Sequence, residues 1–252
     1  MVLSTRVSYT DRRQTQTDER YAADDLETMR EAKHYGAHLF RLFRPFVGRR
    51  VLEVGCGIGT MTRRLTEVAD VVLGIEPNPS CAVQVLEHMR AEPKFSLREC
   101  LLEDCDPVEL ESHRFDTVFC VNVLEHIRDD LGALATFTRV IQPGGHVLVW
   151  VPAVPAAYGP LDAELGHHRR YTKRSLTQAF TRAELEIVSL RYTNPIGLIG
   201  WMYNAHVGKS TTHSPMQIKL FETLVAPWAL PLDRLIPPPV GLSLVAVGRR
   251  RR

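Results

Sequence analysis

From Arg50 onward, short apolar runs alternate with stretches in which apolar residues recur every three or four positions. That rhythm predicts strands and helices in turn. Arg50–Gly55, Val71–Ile75, Phe95–Leu101, Phe115–Val121 and His146–Val151 read as strands. Helices are predicted over Met61–Val68, over Ser80–Met89 with Val83, Leu86 and Met89 on one face, and over Leu131–Ile141, where Pro143, Gly144 and Gly145 end it. Ahead of the first strand, Leu26, Met29, Tyr35, Leu39, Phe43 and Phe46 predict a helix from about Tyr21 to Phe46, closed by Pro45 and Gly48. Later, Ser175–Ala183 reads as a helix capped by Ser175, Ile187–Tyr192 as a sixth strand and Leu242–Val247 as the last. Residues 195–240 break the beat with prolines and aromatics. A helix is predicted there over Met216–Ala226, with Ser214 and Pro215 at its start and Pro227 at its end.

Strands alternating with helices imply parallel pairing through right-handed crossovers. The expected fold class is α/β, a doubly wound and mostly parallel sheet. The chain then divides into a polar, mobile segment (1–18), a Rossmann-like domain with its leading helix (19–194), a helical insert acting as a cover (195–240), and a last strand with a basic tail (241–252).

Composition narrows the class without changing it. The chain has 252 residues, 44% hydrophobic and 24% charged, enough for a large core without covalent staples. The five cysteines are odd in number and show no metal spacing, which fits small buried side chains in a reducing cytoplasm. No apolar run reaches the roughly 18 residues of a membrane span. Arg6, Asp11, Arg12 and Arg13 interrupt what a secretory leader would need, so a cytoplasmic protein without stable membrane insertion is expected. Net charge is +2, but setting aside Arg249–Arg252 leaves 27 basic against 29 acidic residues. A slightly acidic body argues against nucleic acid as partner.

The first strand runs into a glycine triplet, Gly55, Gly57 and Gly59, of form G-x-G-x-G. Glycines let backbone approach a ligand closely. A dinucleotide site wants G-x-G-x-x-G, so this turn is one residue short for a diphosphate, which disfavours a nicotinamide oxidoreductase. Glu76 ends the second strand, 17 residues after Gly59, where an acid accepts two hydrogen bonds from a ribose diol. Glu53 places a second carboxylate beside the turn. Such a pair suits a cationic ligand better than a phosphorylated one.

Five ordered segments carry a resemblance: Val51–Gly59 (VLEVGCGIG), Gly74–Asn78 (GIEPN), Phe115–Val118 (FDTV), Asn122–His126 (NVLEH) and Ile141–Gly145 (IQPGG). Together they resemble the class I methyltransferases that use S-adenosylmethionine (SAM). The resemblance covers about residues 35–153 and implies a seven-stranded sheet and SAM as cofactor. It also implies that Gly55, Cys56 and Gly57 line the methionine half, with Glu53 on the ammonium side and Glu76 on both ribose hydroxyls. Pro77 and Asn78 would shape the adenine edge, Asn122 and Val123 would flank the methionine, and Tyr35 would close over its carboxylate. Glu103, Asp104 or the backbone at Leu102 would meet the adenine amino group.

The methyl acceptor should lie beyond the fourth and fifth strands. Tyr158–Tyr171 is dense in His, Arg and Tyr. His167 or His168 is a candidate base, since histidine titrates near neutrality. Arg169 and Arg170, with Tyr158, are candidates to hold an anionic acceptor. The competing reading makes this a solvated loop whose arginines pair with Asp162 and Glu164. Glu125, His126 and Tyr171 are further catalytic candidates. Glu125–His126 resembles a pattern that holds a divalent metal in some members, but Asn122 stands where those carry an acid, so no metal is assigned. Trp201, Tyr203, Asn204 and Lys209 open the insert and are candidates for acceptor contact. A homodimer face is the insert's alternative use, with membrane-surface contact placed below both.

The expected function is methyl transfer from SAM to a small molecule. One form is C-methylation of a prenyl (isopentenyl) diphosphate, gripped by Arg169, Arg170, Lys173 or Lys209. The alternatives are O- or N-methylation of a metabolite, and a SAM-binding regulator without catalysis.

Overall fold

The computed structural model describes residue 26, residues 32–209 and residues 215–251. The expected mobile segment (1–18), the first turns of the leading helix and Ser214 lie outside the described residues. Strand β1 (Arg50–Val54) pairs in parallel with β2 (Val71–Ile75) on one side and with β4 (Phe115–Val121) on the other. β3 (Phe95–Arg98) extends the first side beyond β2, and β5 (Ile141–Pro152) extends the second beyond β4. β7 (Ser243–Arg250) lies antiparallel between β5 and β6 (Leu185–Thr193), giving seven strands in the order β3-β2-β1-β4-β5-β7-β6. Strand order reverses between β1 and β4. The crevice outside their carboxyl ends is where an open parallel sheet binds ligands.

Alternation along the strands sorts side chains to two buried faces. Leu52, Val54, Val118, Cys120, Val147 and Val149 pack on one side, against Leu134, Phe137, Leu176 and Phe180. Val51, Val72, Phe119, Leu148 and Trp150 pack on the other, against Leu39, Phe40 and Phe43. Burial on both faces is why these strands read as continuous apolar runs. The helices on the faces are α1 (Lys33–Phe43), α2 (Thr62–Thr66), α3 (Pro79–His88), α4 (Pro107–Ser112), α5 (Asp130–Val140), α6 (Pro160–Glu164) and α7 (Lys173–Arg182).

Several boundaries differ from expectation for local reasons. Thr172, not Ser175, caps α7: its hydroxyl accepts from Ser175 N at 3.0 Å while Ser175 Oγ accepts from Thr172 N at 2.9 Å. Ser175 is thus the reciprocal partner of a capping box. Helix α3 buries Cys81, Ala82, Val85 and Met89, whereas Val83 and Leu86 are exposed. β5 begins at Ile141, so Pro143–Gly145 lies within the strand. The last strand reaches Arg250: Arg249 pairs with Glu186, and Arg250 donates to Arg139 O. Two of the four terminal arginines therefore belong to the sheet rather than to a tail.

The 195–240 segment holds α8 (Pro195–Tyr203), a π turn (Asn204–Gly208), α9 (Pro215–Leu220), a second π turn (Phe221–Val225) and α10 (Ala226–Leu235). Helical backbone therefore runs on through Pro227, which sits in the first turn of α10, where its missing N–H costs nothing. Glu222 turns inward and accepts from the backbone N–H groups of His34 (2.8 Å) and Tyr35 (3.0 Å), capping α1. An acid there meets both the orphan donors and the positive end of the helix dipole. Asp233 likewise accepts from Asn194 N at 2.6 Å, at the start of α8.

Candidate active site

β1 ends in a turn whose glycines adopt left-handed backbone, Gly55 at φ 71° and Gly57 at φ 53°. A Cβ on Gly55 would stand 2.2 Å from a methyl of Val123, so at this position glycine serves both conformation and clearance. The contact joins the β1 turn to the one after β4, where Asn122 takes φ 52°. Asparagine tolerates that region better than most side chains. Val123, next to Asn122, thus packs against the glycine turn.

Two buried carboxylates border the turn. Glu76 accepts from Gly57 N (2.8 Å) on one oxygen and from Asn78 N (2.9 Å) on the other. Each oxygen retains a lone pair, the arrangement a vicinal diol needs. Burial nevertheless raises the Glu76 pKa. Glu53 accepts from Thr62 Oγ1 at 2.7 Å, and burial pushes it up to about 8, with the Glu76 charge adding to the rise. A cationic ligand would relieve both acids, so the donor set fits the sulfonium and ammonium groups of SAM. Thr62 was not singled out in the sequence; its signal was a hydroxyl at the start of the helix that follows the turn.

The other candidates around this pocket separate. Cys56 is buried in the turn. Pro77 is exposed, and Asn78 caps α3 through Ser80 N and Cys81 N. Leu102 is buried at the start of a short 3₁₀ turn, while Glu103 and Asp104 are exposed. Tyr35 is turned away: its ring stands edge-on to Trp150 at 5.6 Å, and its hydroxyl faces Ser243, Trp150 and Asn194, among which burial pushes its pKa up to about 12. A role over the methionine carboxylate is therefore withdrawn.

The loop after β5 is organised by Asp162, which is completely buried. One oxygen takes His167 Nδ1 and Arg170 Nε, each at 2.8 Å; the other takes Gly159 N at 3.0 Å and Trp201 Nε1 at 3.3 Å. Burial works to raise its pKa, but the bonds from His167 and Arg170 outweigh it and the net shift is downward. Because an ionised carboxylate only accepts, His167 Nδ1 carries the proton in this bond. The rings of His126 and His167 meet edge-on at 4.7 Å. Desolvation and the two neighbouring histidines push His126 down to about 4, so it is neutral at physiological pH. His168 is exposed and donates its backbone N–H to Glu125 O. Tyr158 bonds His167 O at 2.8 Å through its hydroxyl.

Two expected acceptor contacts and one catalytic candidate in this loop are scaffolding instead. Besides Asp162, Arg170 donates to Ala153 O at 3.0 Å and lies over the Trp201 ring at 4.6 Å. Arg169 pairs with Asp130 at 2.9 Å and donates to Arg128 O. Tyr171 is buried and donates to Asp130 at 2.8 Å, which removes it as a base. The pairing reading of the arginines was nearer, yet the Arg170–Asp162 pair is buried rather than solvated. In the insert, Trp201 reaches the Asp162 cluster, but Tyr203 and Lys209 are exposed and Asn204 bonds Gln217. These last three are not brought to it.

Glu125 is buried with its pKa pushed up to about 8, chiefly by desolvation, and among the described residues its Oε2 has no hydrogen-bond partner. Its carboxylate and the rings of His126 and His167 offer ligand atoms within 4.8 Å of one another.

Glu53 gives a testable pH dependence. Its folded pKa, about 8, lies well above the 4.5 of an ordinary glutamate, so the folded state keeps a proton that the unfolded chain releases. Stability is lost as pH rises across that window, by up to about 1.4 kcal/mol per unit for this group. Glu53→Gln keeps the Thr62 bond without the titration. Denaturation from pH 5 to 9 should show the variant gaining on the parent as pH rises, while its SAM affinity falls.

A family model described as a methyltransferase domain matches residues 21–190. The ubiquinone biosynthesis O-methyltransferase of Alkalilimnicola ehrlichii is 34% identical over 103 residues, 40% of this chain and 40% of that protein. The tRNA U34 carboxymethyltransferase of Azotobacter vinelandii is 42% identical over 106 residues, 40% of this chain and 32% of its own. The chain therefore spans 40% or less of the length of these two relatives. Among solved structures, N-methyltransferase NodS from Bradyrhizobium japonicum in complex with S-adenosylhomocysteine gives a TM-score of 0.63 at 17% identity, over 94% of this chain and 98% of that one. At such identity the likeness shows the fold.

Proposed function

The chain belongs to the methyltransferase-domain family, and from that premise we propose that it transfers a methyl group from SAM to an ionisable oxygen or nitrogen of a small molecule. The observation that carries the reading is the Glu53–Glu76 pair beside the left-handed glycine turn. SAM, when bound, supplies an electrophilic methyl on a cationic sulfur. Glu76 holds the ribose diol, Glu53 faces the ammonium, and the turn brings backbone close to the methionine.

On the acceptor side, His167 is the proposed base. Asp162 holds its Nδ1–H, leaving Nε2 to take the proton from the acceptor's hydroxyl or amine as the new bond to carbon forms. His126, edge-on to His167, limits the directions from which an acceptor can approach. Of the four cations proposed to grip a prenyl diphosphate, Arg169 and Arg170 are already paired, Lys173 lies over the Tyr192 ring and Lys209 is not brought to the Asp162 cluster. O- or N-methylation is favoured over C-methylation for that reason. The ubiquinone biosynthesis O-methyltransferase relatives agree with an oxygen acceptor, while the tRNA U34 carboxymethyltransferase relatives keep a nucleoside acceptor in the comparison.

Labelled SAM offered with a panel of catechols, phenols, amines, nucleosides and prenyl diphosphates tests this. Transfer to a phenol or amine, with His167→Gln lowering kcat by about 10²–10⁴-fold and sparing SAM affinity, is the expected result. SAM binding without turnover on any acceptor would favour the regulator. A second reading rests on the Glu125, His126 and His167 cluster, which has the donor types of a divalent cation site. Loss of turnover on chelation, with recovery on adding metal, would favour it over a simple base.

A further inference from the structure

The helical stretch from Pro215 to Leu235 turns its two acids inward and a row of large apolar side chains outward. Met216, Leu220, Leu224, Trp228 and Leu232 recur every four residues and are all exposed, Met216 and Trp228 at 80%. In a regular α-helix such a row would drift by about 40° at each step. Here the wider π turn at Phe221–Val225 counters the drift. The inner face follows the same spacing, with Glu222, Ala226 and Leu230 buried. Helix α8 and the π turn after it add Ile199, Tyr203 and Val207, also exposed.

The charges are sorted as sharply. Residues 195–240 contain two acids, Glu222 and Asp233. Both are buried, on the α1 amino end and at Asn194. The ionisable side chains exposed here include Lys209 and Lys219, and no acid is among them. An apolar row with interfacial aromatics, flanked by cations, matches the chemistry of a helix lying in the headgroup region of an anionic bilayer. Among the described residues no helix is long and apolar enough to cross one.

We propose that the outer face of α9 and α10, with the end of α8, docks this protein on the surface of an anionic phospholipid membrane. Trp228 and Leu224 enter the acyl boundary while Lys209 and Lys219 meet lipid phosphates. The other side of the same insert carries Trp201, bonded to Asp162 in the candidate active site. Docking would therefore set that site beside the bilayer, where an apolar acceptor is dissolved. The surface itself stands independently of the methyl-transfer reading.

The test uses the full chain and vesicles of phosphatidylcholine alone or mixed with phosphatidylglycerol, read by co-sedimentation and tryptophan emission. Expected is binding to the mixed vesicles at least roughly tenfold above the neutral ones, weakening with salt, and a blue shift that Trp228→Phe abolishes. Leu224→Ser/Trp228→Ser should cut binding at least tenfold with an unchanged melting temperature, because both positions are exposed. Lys219→Glu should erase much of the preference for anionic lipid. Failure to bind mixed vesicles at low salt overturns the proposal. So does a concentration-dependent dimer that Trp228→Ser disperses without any vesicle binding, since the face would then belong to a second copy.

Discussion

Glu76→Ala is expected to weaken SAM binding by about two to four orders of magnitude in titration calorimetry. A hydrogen bond to an ionised carboxylate contributes about 1.5–3 kcal/mol, and a diol makes two. The loss reaches further, because the same carboxylate joins Gly57 N to Asn78 N and so fixes the glycine turn to the loop after β2. Both donors would be left without their partner, each costing about 1–3 kcal/mol where water cannot replace it. Glu76→Gln does not rescue, since its amide N–H₂ would face one of two backbone donors. Unaltered affinity in the alanine variant would refute the ribose assignment. Normal affinity in Glu53→Gln would leave that assignment standing and remove only the ammonium contact.

Asp162→Ala should be the more damaging change to the fold. It leaves the Arg170 guanidinium buried without its counter-ion, and breaking one side of such a pair costs about 3–5 kcal/mol. Gly159 N, Trp201 Nε1 and His167 Nδ1 lose their acceptor in the same step. For a chain of this size each kcal/mol lowers Tm by about 2–4 °C. Asp162→Ala/Arg170→Met separates the causes. It removes the orphaned charge and should recover part of the stability, while the proton-transfer defect persists because His167 is still unheld. If the double variant is no more stable than the single one, the cost does not come from the buried guanidinium.

The sheet was legible because both its faces are buried, which turns strands into unbroken apolar runs, and because β1 ends where only glycine takes the required backbone with clearance from Val123. Boundaries were harder where two residues share one task. Thr172 and Ser175 are reciprocal partners in one cap, and pattern alone does not say which stands outside the helix. Pro227 reads as a stop, yet proline is also at home in a first turn, and a π turn just before it makes one available. On the proposed donor side of the site, Glu53, Gly55, Gly57 and Glu76 come from neighbouring strand ends and are visible in sequence. The proposed acceptor side hinges on Asp162, whose partners His167, Arg170 and Trp201 are 5, 8 and 39 residues away. An acid in a loop looks solvated until its burial is known, so the two arginines looked free for a ligand when one is packed inside and the other is paired at Asp130.

The position of β7 has a consequence for biosynthesis. It lies between β5 and β6, although it is the last strand in sequence. A nascent polypeptide that has emerged through residue 240 carries β6 with no mate in the sheet and β5 with an open edge. Unmated edges of this kind recruit foreign strands. Ribosomal stalling or proteolytic nicking in the stretch before Ser243 should therefore yield aggregating fragments rather than a smaller folded protein.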